Sequence, residues 1–326
     1  MTVLIYALGG GWGHLTRAAS LARAAGARHR IRILTNSPYA MHIAKAMPEL
    51  DLIILDPSLD LDGARTRSIQ EIKGADCSCL IVDTFPRGLG GELAGLLGTL
   101  KVTKVLINRD LNPRYVAEAG LRDFVRSIYD LVLIPGAGEA GVFADLPNAV
   151  VTNPWLIRAP QPHCGHDGRR IVVCASGETA ELPWYGAVVS LLHLTVDVRC
   201  VAPTCPVGCP RECWIEHWPA ADLYPTADVI VGGAGYNTIH ECAAWQIPLI
   251  AHPWPRKYDR QWLRAKRGGV TIARTPQEAA EAASRQLNQM PLHRPIEFKD
   301  GAAEALALIE RQLEGTIRGP DSYRCS

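Results

Sequence analysis

Short apolar runs alternate with stretches of helical spacing along most of the 326-residue chain. Apolar runs of strand length, bounded by glycine, proline or polar residues, predict buried strands, and their alternation with helices predicts parallel sheets. The first half contains six such runs, at residues 3–8, 30–35, 52–55, 80–82, 104–107 and 131–134. The second half contains five, at residues 170–175, 196–201, 229–231, 249–251 and 270–272. Residues 276–290 and 301–313 are predicted as the terminal helices.

The segment between the two halves, residues 153–163, contains three prolines and has no apolar period, so it is predicted to be a linker. The length suits two domains of about 150 residues each. We expect an N-terminal domain over residues 1–155 and a C-terminal domain over residues 156–300. Residues 301–326 are expected to form a helix and a frayed tail, and whether that helix packs back on the N-terminal domain stays open.

Composition and charge argue against two classes of protein, those that bind nucleic acid and those that span a membrane. The chain is 48% hydrophobic and 21% charged, with a net charge of +1, which argues against a protein that binds nucleic acid by neutralising phosphates. No apolar run approaches the roughly 20 residues of a membrane span, and no basic segment precedes the first apolar run. A cytoplasmic location is the resulting expectation, with peripheral membrane contact left open. The oligomeric state is not indicated.

Ten cysteines are too dilute for a disulfide scaffold. Cys205, Cys209 and Cys213 follow one another at four-residue intervals, and His217 continues the series. In a helix these side chains would share one face, as metal ligands do, but prolines and a glycine within the series exclude a regular helix. The spacing also matches none of the usual zinc pairs. Free thiols and no bound metal are therefore expected.

The most distinctive motif is a glycine turn between the apolar run at residues 229–231 and a predicted helix. Glycines leave room for a close approach to a diphosphate, and unpaired N–H groups at a helix N-terminus attract anions. The residues expected to hold such a group are Gly233, Ala234, Gly235, Asn237 and Thr238. Glu241 lies one turn further, where its carboxylate can accept hydrogen bonds from a ribose. The alternative is an ordinary strand–turn–helix joint.

A second glycine turn, residues 9–13, separates the first apolar run from a predicted helix that begins with His14. No acidic residue closes the second strand, which disfavours a second dinucleotide site. His14 follows the carboxyl end of a strand, where open α/β sheets bind ligands, so it is a candidate general base. The alternative is a capping or solvated histidine.

Two further strand ends carry charged side chains. Asp83 directly follows the run at residues 80–82 and could orient an acceptor or His14. Arg109 and Asp110 follow the run at residues 104–107. For each of them, an ordinary charge at the turn after a strand is the competing interpretation.

In this order, the motifs resemble those of the two-domain GT-B glycosyltransferases, within them the branch of the peptidoglycan N-acetylglucosaminyltransferase MurG. The matching segments are Gly10-Gly11-Trp12-Gly13-His14, Thr152-Asn153-Pro154, Ser176-Gly177, the stretch from Asp228 to Glu241, and Asp259-Arg260-Gln261. The resemblance implies an α/β GT-B fold, in which two Rossmann-like parallel-sheet domains face each other across a cleft.

The resemblance also implies a donor site in the C-terminal domain for a nucleoside diphosphate sugar, with uridine as the nucleoside. Ser176 and Gly177 would face the diphosphate, Glu241 would bind the ribose, and Asp259 and Gln261 would reach the sugar. Transfer of a hexosyl or N-acetylhexosaminyl group would invert the anomeric centre, with no metal and no further cofactor. His14 would act as the base, assisted by Asp83. The residues assigned to the acceptor side are Gly11, Trp12, Gly13, Arg17 and Arg109.

The chain also departs from the MurG pattern. Glu178-Thr179 replaces the expected Gln-Ala after Ser176-Gly177, and Trp262-Leu263 stands where Asn-Ala is usual. The segment from Gly13 to Arg17 is more similar to relatives with Gly-His-x-x-Arg, which include nucleotide-sugar hydrolases. A hydrolase or epimerase of the same fold, and a non-catalytic binder of nucleotide sugars, therefore remain alternatives. The sequence identifies neither the sugar, the base nor the acceptor.

Overall fold

A computed structural model of the chain describes residues 1–56, 58–136, 141–162, 164, 169–289 and 298–317. These residues form two compact units. Unit 1 comprises Met1–Trp155 and the segment that begins at Asp300, and unit 2 comprises Leu156–Lys299. No helix within the described ranges is both long enough and apolar enough to span a membrane.

The strands alternate with helices in both units. The strands are β1 Thr2–Tyr6, β2 Arg30–Thr35, β3 Asp51–Ile54, β4 Cys79–Asp83, β5 Thr103–Ile107, β6 Leu131–Pro135, β7 Ala149–Thr152, β8 Arg170–Cys174, β9 Asp197–Val201, β10 Trp214–Ile215, β11 Val229–Gly233, β12 Leu249–His252 and β13 Thr271–Ile272. The α-helices are α1 Trp12–Ala25, α2 Ala40–Ala46, α3 Leu61–Gly74, α4 Pro113–Glu118, α5 Leu121–Ile128, α6 Leu182–Leu192, α7 Tyr236–Trp245, α8 Gln261–Arg267, α9 Pro276–Asn288 and α10 Gly301–Ile317.

Each unit contains one parallel sheet. Unit 1 has the strand order β3-β2-β1-β4-β5-β6-β7, and unit 2 has the order β10-β9-β8-β11-β12-β13. In each sheet, the chain runs outward in one direction from a central strand and later in the other direction from its neighbour. The crevice at the carboxyl ends of two such strands is where open α/β sheets bind ligands. In unit 1 these strands are β1 and β4, and in unit 2 they are β8 and β11.

The central strands are apolar on both faces because helices cover both faces of the sheets. In β1, Leu4 and Tyr6 belong to the core cluster on one face, while Val3 and Ile5, on the other face, are equally buried. In unit 2, Ile171 and Val173 of β8 pack against α6 residues such as Val188. Burial on both faces explains why the sequence shows apolar runs rather than an alternating pattern.

Helix α10 packs against α1 of unit 1, although it follows the whole of unit 2 in the chain. Arg23 of α1 contacts Asp300 at 2.6 Å, and His29 contacts Glu310 at 2.5 Å. The Asn153 backbone N–H donates to the Glu304 carboxylate at 2.9 Å. A side chain at Gly301 would collide with the Asn153 carbonyl, so the Asn-Pro segment and this glycine together seat the start of α10.

The predicted α/β class with parallel sheets is confirmed, but two strands escaped prediction. β10 has only two residues, too few for a pattern, and β7 lies at the sheet edge with Val151 40% exposed. The far ends of the predicted linker and of the predicted helix at residues 276–290, together with the tail from residue 318, lie outside the described residues.

Candidate functional site

The carboxyl ends of β1 and β4 bring His14 and Asp83 together. The two strands are neighbours, with Tyr6 of β1 opposite Val82 of β4. The glycine turn after β1 leads directly into α1, which carries His14 in its first turn. His14 Nδ1 lies 2.6 Å from Asp83 Oδ2. Of the two roles that the sequence left open for Asp83, the structure therefore shows contact with His14.

Arg17, one helical turn after His14, binds the same carboxylate. Its Nε lies 3.0 Å from Asp83 Oδ1, and its Nη2 lies 2.7 Å from Oδ2 and 3.3 Å from Thr84 Oγ1. Arg17 and Asp83 have no solvent-exposed surface, and His14 is 8% exposed. Such a paired contact fixes the carboxylate in orientation as well as in position. Arg17, expected on the acceptor side, is buried against Asp83 and orients its carboxylate.

The charges of this cluster determine which imidazole nitrogen is basic. Burial would raise the pKa of Asp83, but Arg17 and His14 together hold it well below its ordinary value. An ionised carboxylate only accepts hydrogen bonds, so His14 Nδ1 must carry the proton donated to it, and Nε2 is left unprotonated. Burial lowers the pKa of His14 more than Asp83 raises it, so the imidazole is neutral at neutral pH.

The residues around His14 hold its imidazole ring in place. A Cβ on Gly9 would collide with the imidazole, so only glycine allows this approach. The Gly9 N–H donates to Asn36 Oδ1 at 2.8 Å, and Phe85 stacks on the imidazole with the ring centroids 5.6 Å apart. Thr84 has a φ of 71°, a conformation that costs free energy for a β-branched residue and is found most often at functional sites.

The remaining residues assigned to the acceptor side lie around the same strand end. Gly11 caps α1 and has open space beside it. Trp12 stacks on Tyr39 with the ring centroids 4.1 Å apart. A Cβ on Gly13 would lie 3.3 Å from Arg17 Nη1 and 3.4 Å from Arg109 Nη1. The positive charge of Arg109 also helps to lower the pKa of His14.

In unit 2, the candidate donor turn of residues 233–238 runs from the last residue of β11 into the first turn of α7. Gly235 caps α7 and has open space beside it. A Cβ on Gly233 would lie 3.4 Å from the Tyr185 hydroxyl and 3.7 Å from Trp254 Cδ1. Ala234 and Thr238 are buried, and the buried Oδ1 of Asn237 makes no hydrogen bond with the described residues. The candidate donor turn therefore lies beside the aromatic side chains of Tyr185 and Trp254.

Glu241 lies on α7 and is only 7% exposed. Its Oε2 accepts a hydrogen bond from the Tyr224 hydroxyl at 3.4 Å. Burial raises the pKa of Glu241 to about 7, so the protonated and ionised forms are comparably populated at neutral pH. A buried carboxylate held by so long a hydrogen bond is suited to accept stronger ones from a ligand.

Ser176 and Gly177 follow β8, which pairs with β11, so they lie beside the candidate donor turn. Ser176 is exposed. The space over Gly177 is occupied by the Glu181 carboxylate, which also accepts the Glu178 N–H at 3.2 Å. Arg256 Nη1 contacts Glu181 Oε1 at 2.5 Å. An internal carboxylate thus occupies this loop, and Arg256 balances its charge.

Asp259 and Gln261, assigned to the donor sugar, make contacts within the protein. Asp259 Oδ1 lies 2.7 Å from Arg264 Nη2, and Arg264 Nη1 donates to the Ala234 carbonyl at 3.3 Å. Gln261 Oε1 accepts a hydrogen bond from the backbone N–H of Trp254 at 3.0 Å. Asp259 is therefore linked through Arg264 to the candidate donor turn, whereas the hydrogen bond of Gln261 lies within the segment after β12. Contact of either residue with a sugar stays a prediction.

Sequence reasoning did not identify Tyr185, Trp254 or Arg256. Trp254 and Arg256 follow the carboxyl end of β12, a position that could have marked them. Tyr185 lies inside an apolar helix, where nothing in the pattern separates a core tyrosine from one that lines a site. Among the described residues, no group of three His, Cys, Asp or Glu side chains is placed to hold a metal ion.

Comparison with known proteins identifies the fold. No protein-family model matches the chain, and no curated protein matches it in sequence. The structure of the kitacinnamycin glycosyltransferase is similar, with 16% identity, coverage of 96% of this chain and 99% of that one, and a TM-score of 0.61. A Listeria monocytogenes protein assigned as a UDP-N-acetylglucosamine 2-epimerase has 14% identity, coverage of 96% and 97%, and a TM-score of 0.63. Acinetobacter baumannii MurG has 14% identity, coverage of 95% and 100%, and a TM-score of 0.58.

The structural similarity establishes a shared fold, but sequence identities this low leave the substrate open. The chain therefore has the GT-B fold of two Rossmann-like domains, and its place in the MurG branch stays a prediction.

Replacing Arg17 tests the buried ion pair. Arg17→Ala would leave the Asp83 carboxylate buried without its main counter-charge, which costs about 3–5 kcal/mol of unfolding free energy. Arg126→Ala is the control, because Arg126 is 55% exposed and lies 3.7 Å from an exposed Asp123, a pair worth about 1 kcal/mol or less. Urea unfolding measures both variants. Equal losses would show that Arg17 does not neutralise Asp83.

Proposed function

We propose that this chain is a glycosyltransferase that moves a sugar from a nucleoside diphosphate sugar to an acceptor hydroxyl with inversion at the anomeric carbon. The observation that carries the proposal is the buried His14–Asp83–Arg17 cluster, which leaves Nε2 of a neutral imidazole as a base at a ligand-binding strand end. The glycosyltransferases among its structural neighbours share the fold and support the proposal.

The donor is proposed to bind at residues 233–238, with its diphosphate on the N–H groups at the start of α7. The helix dipole and these N–H groups stabilise the negative charge that the leaving nucleoside diphosphate acquires, so the step needs no metal. The ribose hydroxyls donate to the Glu241 carboxylate. We propose uridine as the nucleoside and a hexosyl or N-acetylhexosaminyl group as the transferred sugar, on the strength of the motif resemblance.

Catalysis follows from the cluster on unit 1. His14 Nε2 takes the proton of the acceptor hydroxyl while its oxygen attacks the anomeric carbon and the bond to the diphosphate breaks. The imidazole becomes positively charged in this step, and the ionised Asp83 stabilises that charge through Nδ1. Arg17 keeps Asp83 ionised and oriented. One displacement inverts the configuration.

A hydrolase or an epimerase of the same fold is the second candidate. The sequence Gly13-His14-Leu15-Thr16-Arg17 is similar to that of nucleotide-sugar hydrolases, and one structural neighbour is assigned as an epimerase. In a hydrolase, His14 would take the proton of a water molecule instead of an acceptor.

A panel of nucleotide sugars, incubated with the protein with and without candidate acceptors, separates these functions. Release of nucleoside diphosphate only when an acceptor is present is the expected result. Release without an acceptor would establish a hydrolase, and a changed sugar without release would establish an epimerase. Binding without any reaction would reject an enzymatic function.

His14→Ala should lower the turnover number by roughly 10²–10⁴-fold, the contribution of a positioned general base, and leave donor affinity nearly unchanged. His193→Ala is the control, because His193 is partly exposed at the C-terminal end of α6, where its ring lies 2.9 Å from the Ser190 carbonyl. Steady-state kinetics at saturating substrates measures both. A His14→Ala turnover within a few-fold of the native value would reject the general-base role.

The pH dependence of turnover should reflect the lowered pKa of His14. The base works only when neutral, so the rate falls as pH falls through that pKa. Because burial lowers the pKa of His14, the pH at which the rate is half-maximal on the acidic side should lie below the ordinary histidine pKa of 6.5. A half-maximal rate at or above 6.5, in single-turnover kinetics, would contradict the assignment.

Donor affinity should increase with pH near neutrality. The ionised Glu241 is the better hydrogen-bond acceptor, so binding tightens as pH rises through about 7 and then levels off. Calorimetric titration with a nucleotide sugar, whose substituted diphosphate does not itself titrate there, measures this change. Glu241→Gln should remove the pH dependence and weaken binding at high pH by about 1.5–3 kcal/mol. An unaltered pH response in this variant would exclude Glu241 from the site.

A further inference from the structure

The loop after β9 concentrates thiols in a way that the proposed function does not use. Cys200 lies on β9, and Cys205, Cys209 and Cys213 follow in the loop. The Cys209 N–H donates to the Pro206 carbonyl at 2.9 Å, and Gly208 between them has a φ of 85°. These features define a tight turn that requires glycine at its third position. The turn folds Cys209 back toward Cys205.

Cys209 interacts with two of the other thiols, those of Cys200 and Cys205. The Cys209 sulfur forms side-chain hydrogen bonds with both Cys200 and Cys205. The Cys205 sulfur also lies 3.7 Å from the Cys209 carbonyl oxygen. Cys209 therefore occupies the centre of the group, with Cys200 on its buried side and Cys205 on its accessible side.

The three sulfurs differ in chemistry. Cys200 is fully buried in the sheet, whereas Cys205 and Cys209 are partly exposed. The hydrogen bond from Cys200 lowers the pKa of Cys209, and the same contact raises the pKa of Cys200. Because the thiolate is the nucleophile in disulfide exchange, Cys209 is the reactive member. Burial raises the pKa of Cys79, Cys174 and Cys242, so these thiols are unreactive.

We propose that Cys205 and Cys209 form a reversible dithiol–disulfide pair that reacts with small-molecule disulfides. The Cys209 thiolate attacks one sulfur of the small disulfide, forms a mixed disulfide and expels one small thiolate. The Cys205 thiolate then attacks the Cys209 sulfur, closes the protein disulfide and expels the second small thiolate. Two protein thiols lose two electrons, the small disulfide gains them, and the two protons from the cysteines pass to the two leaving thiolates.

The position of the turn favours Cys205 over Cys200 as the second cysteine. Cys200 is held on β9 between β8 and β10, and moving its sulfur would disturb the sheet. Cys205 stands at the entry to a turn whose tip, Val207, is 77% exposed, so its sulfur can rotate toward Cys209. The turn already brings the two residues together, which reduces the entropic cost of closing the small loop.

Mass spectrometry of the full chain tests the pair. The reduced protein is treated with glutathione disulfide, its remaining thiols are alkylated, and it is digested with trypsin without reduction. Cleavage after Arg199 and Arg211 places Cys200, Cys205 and Cys209 in one peptide, residues 200–211. We expect this peptide to lose two hydrogens and to carry one alkyl group. Fragmentation before Pro203 separates Cys200 from the other two and should place the alkyl group on Cys200.

Two serine variants identify the order of attack. Cys205→Ser should stop at the first step and accumulate one glutathionyl group on Cys209. Cys209→Ser should leave Cys205 alkylated and free of glutathione. Cys164→Ser is the matched control, since Cys164 is exposed and lies outside this loop, and the disulfide should form in it as in the native chain. An alkylated Cys205 in the treated native chain, or a disulfide that includes Cys200, would overturn the proposal.

Discussion

The buried Asp83 carboxylate is the constraint on which the arrangement of unit 1 depends. An ionised group without any contact with water must be matched by charge and by hydrogen bonds, or its burial would cost several kcal/mol. Arg17 and His14 meet that requirement from the same helix, three residues apart and hence on the same face. The requirement therefore sets how α1 lies against β4. The glycine turn before α1 then has to approach the imidazole closely, which excludes a side chain at Gly9.

Much of this architecture could be predicted from the sequence because strands buried on both faces are conspicuous. The apolar runs marked the central strands of both sheets, and the glycine turns marked the strand ends that binding sites use. The role of Arg17 could not be predicted in the same way. Spacing placed it on the face of His14, but only the neighbouring strand decides whether that face meets solvent, an acceptor or a carboxylate.

The same distinction applies to unit 2. The spacing of glycines locates the turn before α7, since a close backbone approach leaves a direct trace in residue type. The residues that a long side chain contacts cannot be read from residue type in this way. Nothing local indicates that Glu181 reaches back over Gly177, or that Asp259 pairs with Arg264. A diphosphate at the Ser176 loop would therefore meet the Glu181 carboxylate, which is already placed there and is paired with Arg256.

The return of α10 to unit 1 has a consequence for the order of events during synthesis. Four of its side chains, Ala302, Ala305, Leu306 and Ile309, are at most 1% exposed against unit 1, so the core of that unit is incomplete without them. The ribosome must translate all of unit 2 before it reaches these residues. Domains usually fold in the order in which they emerge. Here the first unit to emerge waits with an uncovered apolar surface until residues 302–309 have been translated, and the second unit can finish first.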